Sequence, residues 1–375
     1  MPVSPDLTMS DAAVLAARII DRHYRPKLLR RALAEPLAFP LFTEAGRWVP
    51  NPEPRWSDGF WPGLFWLAWQ ATDEDVFRDV AARQSEALVP RIDSPDANYD
   101  LGFLFYYSAA LGHRLTGDSL YRDIALAAAR RLCQFFDTAA GVLAVRYPER
   151  SAKHGRPCVT TKIDAMMNLA LLWWAYEETG TAGFREVACC HARRSLACLL
   201  RDDGSVVQVA DFDVDGGMLL AQDSMQGHAP GSCWARGQGW AIHGFLLAAR
   251  HTGEDEFADA ARRALAFWRD AVPDDGVPPW DFRAPPEQHD VRDASAAAIL
   301  LAALAKAQCW EIAVPDGTAL LRLTYDGLAG RLTESDEDGV FTGGSAYVRR
   351  GEGLHGATVW GDYYVLEALN GLAGI

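Results

Sequence analysis

Two aspartates, Asp100 and Asp164, each stand just before a long apolar stretch. They lie in Tyr99-Asp100-Leu101-Gly102-Phe103 and in Lys162-Ile163-Asp164-Ala165-Met166-Met167-Asn168. Burial and a like neighbour both raise a carboxylic-acid pKa, which is what a general acid at neutral pH requires. The competing reading is plain helix capping. Asp is a good N-cap, and a helix N-terminus favours negative charge by a few tenths to about 1 kcal/mol. Two such groups facing one cavity shift the balance toward acid–base chemistry. Four more polar and aromatic clusters share this placement: Trp56-Ser57-Asp58-Gly59-Phe60-Trp61, Trp234-Ala235-Arg236-Gly237-Gln238-Gly239-Trp240, Arg292-Asp293-Ala294-Ser295 and Thr358-Val359-Trp360-Gly361-Asp362-Tyr363-Tyr364. Arg236 suits either a clamp for a ligand carboxylate or a structural arginine stacked between aromatics. Trp56, Trp234 and Trp240 fall where long links meet apolar helices. There an indole can stack on a sugar ring and donate a hydrogen bond. Trp66, Trp173 and Trp174 read as core. Acids, an arginine and tryptophans gathered at one end have the composition of a carbohydrate site.

Other chemistries have less support. The nine histidines show no HExxH or other metal spacing, and His228 and His355 fall on the expected rim. There is no P-loop, and no GxSxG for a serine triad. Neither a metal nor an organic cofactor is expected. A net charge of −14 makes the chain a poor partner for nucleic acid or an anionic membrane. It does not forbid a small anionic substrate. The seven cysteines are odd in number and form no CxxC pair, which reads as free thiols in a reducing compartment. Asp11, Arg18, Asp21 and Arg22 interrupt any signal-peptide core in the first thirty residues, and no later stretch offers about 20 charge-free apolar residues. The expectation is a cytoplasmic protein, monomer or homodimer.

The elements that must position these clusters are helices. Helical periodicity recurs twelve times: Ser10–Ala34, Asp58–Thr72, Asp73–Val89, Asp100–Thr116, Asp118–Asp137, Lys162–Thr179, Thr181–Leu200, Ala235–Thr252, Glu254–Val272, Val291–Ala307, Pro315–Thr333 and Thr358–Leu372. Odd-numbered helices are amphipathic. Even-numbered ones, such as the stretch Leu169–Ala175, are apolar almost all round and so are buried on every side. Alternation of this kind means an inner and an outer ring. The short links Thr116-Gly117-Asp118, Thr179-Gly180-Thr181 and Thr252-Gly253-Glu254 close one helix with glycine and open the next. Six such hairpins make an all-α (α/α)6 barrel spanning residues 1–375 as one catalytic domain. The long links precede the even-numbered helices, which puts the decorated rim and the polar clusters at the same end. Short strands are expected at Gly141–Val145 and Ser205–Val209.

On these residues the chain resembles the unsaturated glucuronyl hydrolases, glycoside hydrolase family 88. The resemblance runs from about Trp56 to Leu369. It rests on Asp58-Gly59-Phe60-Trp61, Asp100-Leu101-Gly102-Phe103, Ile163-Asp164 with Asn168, Trp234-Ala235-Arg236-Gly237-Gln238, Trp280-Asp281-Phe282, Arg292-Asp293 and Trp360-Gly361-Asp362-Tyr363-Tyr364. It implies an (α/α)6 barrel and removal of a terminal 4,5-unsaturated uronic acid from lyase-generated oligosaccharides. It further implies Asp164 as general acid/base, Asp100 as the second essential aspartate, and Trp56, Gln226, Trp234, Arg236 and Trp240 around the unsaturated sugar. Protonation of the C4=C5 enol ether at C4 leaves an oxocarbenium-like cation that negative charge stabilises. The chain departs from the family's usual pattern at Tyr99, where histidine is usual. Gln208 stands for a pocket histidine, and Arg146 for a pocket tryptophan. The link before Trp360 is shorter. A related hydrolase of unsaturated rhamnogalacturonyl fragments shares this logic. A sugar epimerase on the same barrel would place histidines where aspartates stand, and a binding protein would have no need to keep both acids.

Overall fold

In the computed structural model, residues 9–34, 39–50 and 55–375 are described, and they form twelve helical rods with short strands between them. In chain order these are α1 (Met9–Ile19), continued through a π turn by α2 (Arg25–Leu33); α3 (Phe60–Thr72); α4 (Asp75–Ala87); and α5 (Leu101–Phe105), continued through a π turn by α6 (Leu111–Thr116). Next come α7 (Ser119–Cys133), a short rim helix α8 (Pro148–His154), α9 (Ala165–Thr179), α10 (Ala182–Leu199), α11 (Ala235–Thr252) and α12 (Asp255–Ala271). The chain ends with α13 (Ala294–Cys309), α14 (Gly317–Ala329) and α15 (Val359–Ala373).

The inner ring is α3, α5–α6, α9, α11, α13 and α15. Each packs on the next, and α15 closes the circle against α3. Its members are apolar on all sides because they touch protein on all sides: every residue from Ala165 to Ala175 of α9 is buried, as is every residue from Ala294 to Ala305 of α13. The outer helices bury one stripe each, as α12 does with Phe257, Ala260, Ala261, Ala264, Leu265 and Trp268. This is the expected (α/α)6 barrel. The three Thr-Gly links share one geometry. Gly117, Gly180 and Gly253 take φ near +70° (72°, 67° and 72°), and the threonine hydroxyl accepts the amide that opens the next helix, at 3.1, 3.2 and 3.1 Å.

Several boundaries differ from the periodicity: the tenth rod begins at Ala294 rather than Val291, and the eleventh runs Gly317–Ala329 rather than Pro315–Thr333. The fifth rod stops at Cys133, because Phe136-Asp137 pairs with Val142-Leu143 as a small antiparallel ribbon. The sixth begins at Ala165, because Lys162 is the last residue of a strand, Cys158–Lys162. That strand joins Val209–Asp213 and Leu219–Asp223 in a three-stranded antiparallel sheet on the rim. The strand expected at Ser205–Val209 lies further on, and Val206 only bridges to Leu200. Arg150 of α8 fixes the sheet by a bidentate pair with buried Asp211, 2.6 Å at each contact, and reaches Asp223 at 3.2 Å. The strand carrying Lys162 toward the inner ring is therefore rigidly seated.

Candidate active site

Asp100 and Asp164 occupy the N-cap positions of α5 and α9, yet neither side chain caps its helix. The capping alternative is thus absent at both. Adjacent inner helices bring them together through one close approach. Gly102 lies against the backbone of Asn168, and Asn168 Oδ1 accepts the Phe103 amide at 2.6 Å. Gly59 makes the matching approach of α3 to α5, against the carbonyls of Phe103 and Leu104. The glycines of Asp58-Gly59-Phe60 and Asp100-Leu101-Gly102 are therefore the contact points between rods.

Both aspartates are half-buried. Burial pushes the Asp100 carboxyl up to about 7; Lys162 pulls it back, and the charge of Asp164 raises it further. Burial raises Asp164 as well, against the pull of Lys162 and Arg236. Asp164's charge is one cause of the rise at Asp100, so each carboxyl affects the other's titration and the proton held near neutrality belongs to the pair. Asp164 Oδ1 is buried without a hydrogen-bond partner. The Asn168 amide nitrogen makes no close bond either, although it lies near enough to Asp100 to pull its pKa down.

Arg236 does not stand free as a clamp. It is 1% exposed, and its guanidinium donates to Asp293 at 2.9 Å, Ser295 at 3.2 Å, the Ser345 and Ala346 carbonyls at 2.5 and 2.7 Å, and Gln226 at 3.1 Å. It lies between two indoles, 4.7 Å from the ring of Trp234 and 5.0 Å from that of Trp360. Of its two readings, the geometry fits the stacked structural arginine, which ties α11, α13 and the strand Gly344–Tyr347 together. Gln226 is half-buried and held by this arginine. Gln208 is buried and works from behind: its Oε1 accepts the amides of Met225 and Gln226, both at 2.7 Å, and so shapes the loop that presents Gln226. Its Nε2 makes no hydrogen bond.

The aromatic residues form the floor. Trp56 is half-buried and touches Phe60, Phe103, Trp240 and Trp360, with ring centroids 6.0, 5.1, 6.4 and 5.0 Å away. Trp240 is buried against Phe103 and Tyr364. Trp234 is buried beneath Arg236. Half-buried Trp56 is thus the most open of the three tryptophans toward a ligand.

Arg146 turns outward, with its side chain 64% exposed and Asp137 3.9 Å away, so it does not fill the place of a pocket tryptophan. Its neighbour Tyr147 faces inward, 5.4 Å beneath the ammonium of Lys162. Lys162 is the site residue that sequence reasoning passed over. Its signal was its place two residues before Asp164 at the end of a strand, where i and i+2 share a face. Among the described residues one cluster has metal-like proximity, His154, Cys158 and Asp211. Arg150 already occupies both oxygens of that aspartate, which leaves a poor seat for a cation.

No family profile matches the chain. Individual relatives do. The chain is 34% identical over 334 residues to an unsaturated glucuronyl hydrolase of Bacillus sp. (strain GL1), covering 87% of this chain and 88% of that one. It is 28% identical to an unsaturated chondroitin disaccharide hydrolase of Streptococcus pneumoniae over 84% of this chain and 81% of the relative. The crystal structure of the Bacillus sp. GL1 enzyme superposes with a TM-score of 0.85 at 31% identity, covering 97% and 96% of the two chains. With matching motifs, matching barrel and a third of its residues shared across nearly the whole length, the chain belongs to the unsaturated glucuronyl hydrolases, glycoside hydrolases that remove an unsaturated uronic acid.

Proposed function

We propose that this chain releases the terminal 4,5-unsaturated uronic acid from short lyase products of uronic-acid polysaccharides, chiefly glycosaminoglycans, with Asp164 as proton donor and Asp100 as its partner. The supporting observation is the pair itself: two half-buried aspartates at neighbouring helix starts, neither used as a cap, both with raised pKa. The names of the relatives support the substrate class.

Asp164 delivers its proton to C4 of the enol ether, and the C4=C5 electron pair forms the new C4–H bond. The cation left on C5 and the ring oxygen is stabilised by the negative charge of Asp100. Water, losing a proton to the Asp164 carboxylate, adds to C5. The resulting hemiketal opens and frees the neighbouring sugar, and Asp164 is again protonated. In this cycle the proton of the pair sits on Asp164 when substrate is bound, and Asp100 carries the negative charge. Asn168 holds α5 and α9 in register, while Trp56 offers its face to the sugar. We read the whole chain as one catalytic unit, acting as a monomer or homodimer. A cytoplasmic location is supported by seven cysteines that are all free. Among the described residues no helix is long and apolar enough to cross a membrane.

The conjugated double bond absorbs ultraviolet light. Incubation with unsaturated disaccharides from chondroitin, hyaluronan, heparin and gellan is expected to erase that absorbance for at least one of them. Persistence of the signal with all of them would overturn the reading.

A further inference from the structure

The unsaturated uronate carries its carboxylate on C5, the neighbour of the carbon that Asp164 protonates. Wherever C4 meets Asp164, an anionic group lies close by. It enters a chain of net charge −14 and a site that already holds two aspartates. An anion moved into such surroundings needs a cation or strong donors. Several arginines of the rim are engaged. Arg236 serves Asp293 and the rim carbonyls, Arg91 pairs with Asp58 at 3.2 Å, and Arg349 donates to the Ser224 carbonyl at 3.4 Å.

Lys162 is different. It is half-buried, and among the described residues its ammonium makes no hydrogen bond or ion pair. It lies over the ring of Tyr147, and the groups that act on its charge are Tyr99, Asp164, Tyr147 and Asp100. Beside it, the hydroxyl of Tyr99 is buried and has no hydrogen-bond partner. A buried hydroxyl without a protein acceptor is free to donate to a ligand that reaches it. An ammonium at the end of the strand that leads to Asp164 and a phenol just before Asp100 are thus two donors without an acceptor among the described residues.

We infer that Lys162, with the Tyr99 hydroxyl beside it, holds the carboxylate of the unsaturated uronate. The inference rests on the hydrolase reading above and deepens it. Binding would also favour the proton on Asp164, where it is used. With its charge shared by the substrate, Lys162 pulls less on Asp164, which then keeps its hydrogen in the complex. The departure from the family's usual histidine at position 99 acquires a role: tyrosine is a neutral donor, and Lys162 supplies the charge.

The test is a binding cycle in the catalytically impaired Asp164→Asn protein, followed by tryptophan fluorescence. The probes are an unsaturated uronyl disaccharide and its methyl ester, which keeps the ring and double bond and loses the charge. In this background Lys162→Met should weaken binding of the free acid by roughly 10- to 100-fold, a loss typical of one charge-assisted contact. Its penalty on the ester should be at least about tenfold smaller. Lys162→Arg should recover most of the loss, and Tyr99→Phe should show the same preference for acid over ester with a smaller size. Equal penalties on acid and ester, or none on either, would overturn the inference, since a merely structural lysine cannot tell the two ligands apart. Wild-type loss of absorbance on the free acid, run in parallel, tests the hydrolase reading separately.

Discussion

A Cβ placed on Gly102 would stand 2.4 Å from the Asn168 Cα. No pair of rods with side chains at that point could approach so closely. The contact sets the spacing of α5 and α9, and with it the distance between the two aspartates that stand at their starts. The same Asn168 accepts the Phe103 amide, so the approach is also hydrogen-bonded. Gly102→Ala must push the helices apart. Overpacking of this kind costs about 1–3 kcal/mol, and a misplacement of about 1 Å at the chemistry can cost on the order of 100-fold in rate. Activity should therefore fall much further than thermal stability. A variant that melts early but retains near-normal turnover when folded would break the link between this contact and the pair.

Removing the donor isolates the chemistry. Asp164→Asn keeps shape and hydrogen-bonding capacity while deleting the transferable proton. Turnover should drop by roughly 10²- to 10⁴-fold, the usual contribution of a positioned acid or base, with a melting temperature no lower than the parent's. Asp100→Asn should lose activity on a similar scale because the cation loses its counter-charge. Steady-state rates on an unsaturated disaccharide, beside thermal melts, decide this. Turnover of Asp164→Asn within a few-fold of the parent would remove it from the donor role.

The pH dependence follows from the same pair. A proton donor must be protonated, and in this pair burial pushes the Asp100 carboxyl up to about 7 and raises Asp164 as well. Activity expressed as kcat/KM should be high on the acid side and fall as pH rises through about 7. Lys162 holds both carboxyls down, so Lys162→Met should shift this alkaline limb to higher pH even as it weakens binding. A profile that stays flat from slightly acid to clearly alkaline conditions would show that no group of this pair limits the reaction.

The barrel was legible because its signals are long and repeated. Residues 169–175 are apolar all round, and the three Thr-Gly links punctuate the chain at matching places. The rim was less legible. Lys162 read as the first residue of a helix because a helix and a strand look alike at a polar end. Only its pairing with Val209 settles the matter. The two aspartates could be picked from their places, since both open apolar helices. What sequence could not supply was the state of their neighbours. Arg236 has the residue type of a carboxylate clamp, and its commitment comes from far along the chain: Asp293 lies 57 residues later and the two carbonyls, of Ser345 and Ala346, 109 and 110 residues later. Arg146 and Tyr147 are adjacent in the chain, and backbone direction alone sends one outward and the other under Lys162.

Arg236 gives a prediction that separates scaffolding from binding. Its removal leaves Asp293 buried at 0% exposure without its cation. Breaking a buried pair on one side typically costs 3–5 kcal/mol, about the scale expected here. Lysine cannot reproduce the fork that reaches the Ser345 and Ala346 carbonyls together while lying flat between two indoles. Both Arg236→Met and Arg236→Lys should therefore melt well below the parent. A clamp would instead give a normal melt with a raised KM, and that result would return Arg236 to the substrate.

The site's chemistry should also weaken the fold, and Asp100 makes this measurable. Its pKa in the folded protein is about 7, against an ordinary 3.8. A carboxyl with a raised folded pKa contributes most below its unfolded value. That contribution drains away as pH climbs toward 7. Three units correspond to about 4 kcal/mol at most, and partial exposure reduces this to about 1–3 kcal/mol. At pH 8 Asp100→Asn should thus be more stable than the parent by about that much, and the difference should shrink toward zero near pH 4. Asp58, pushed to about 6, and Asp362, pushed to about 7, carry the same sign in the parent, whereas burial holds His191 down at about 3 and lowers His243, which act in the opposite direction as pH falls; the difference between variant and parent is therefore the quantity that isolates Asp100. Paired thermal melts across this range provide the measurement. An Asn variant less stable than the parent at pH 8 would mean that Lys162 repays the burial of Asp100 in full, and that the acid is held in place without strain.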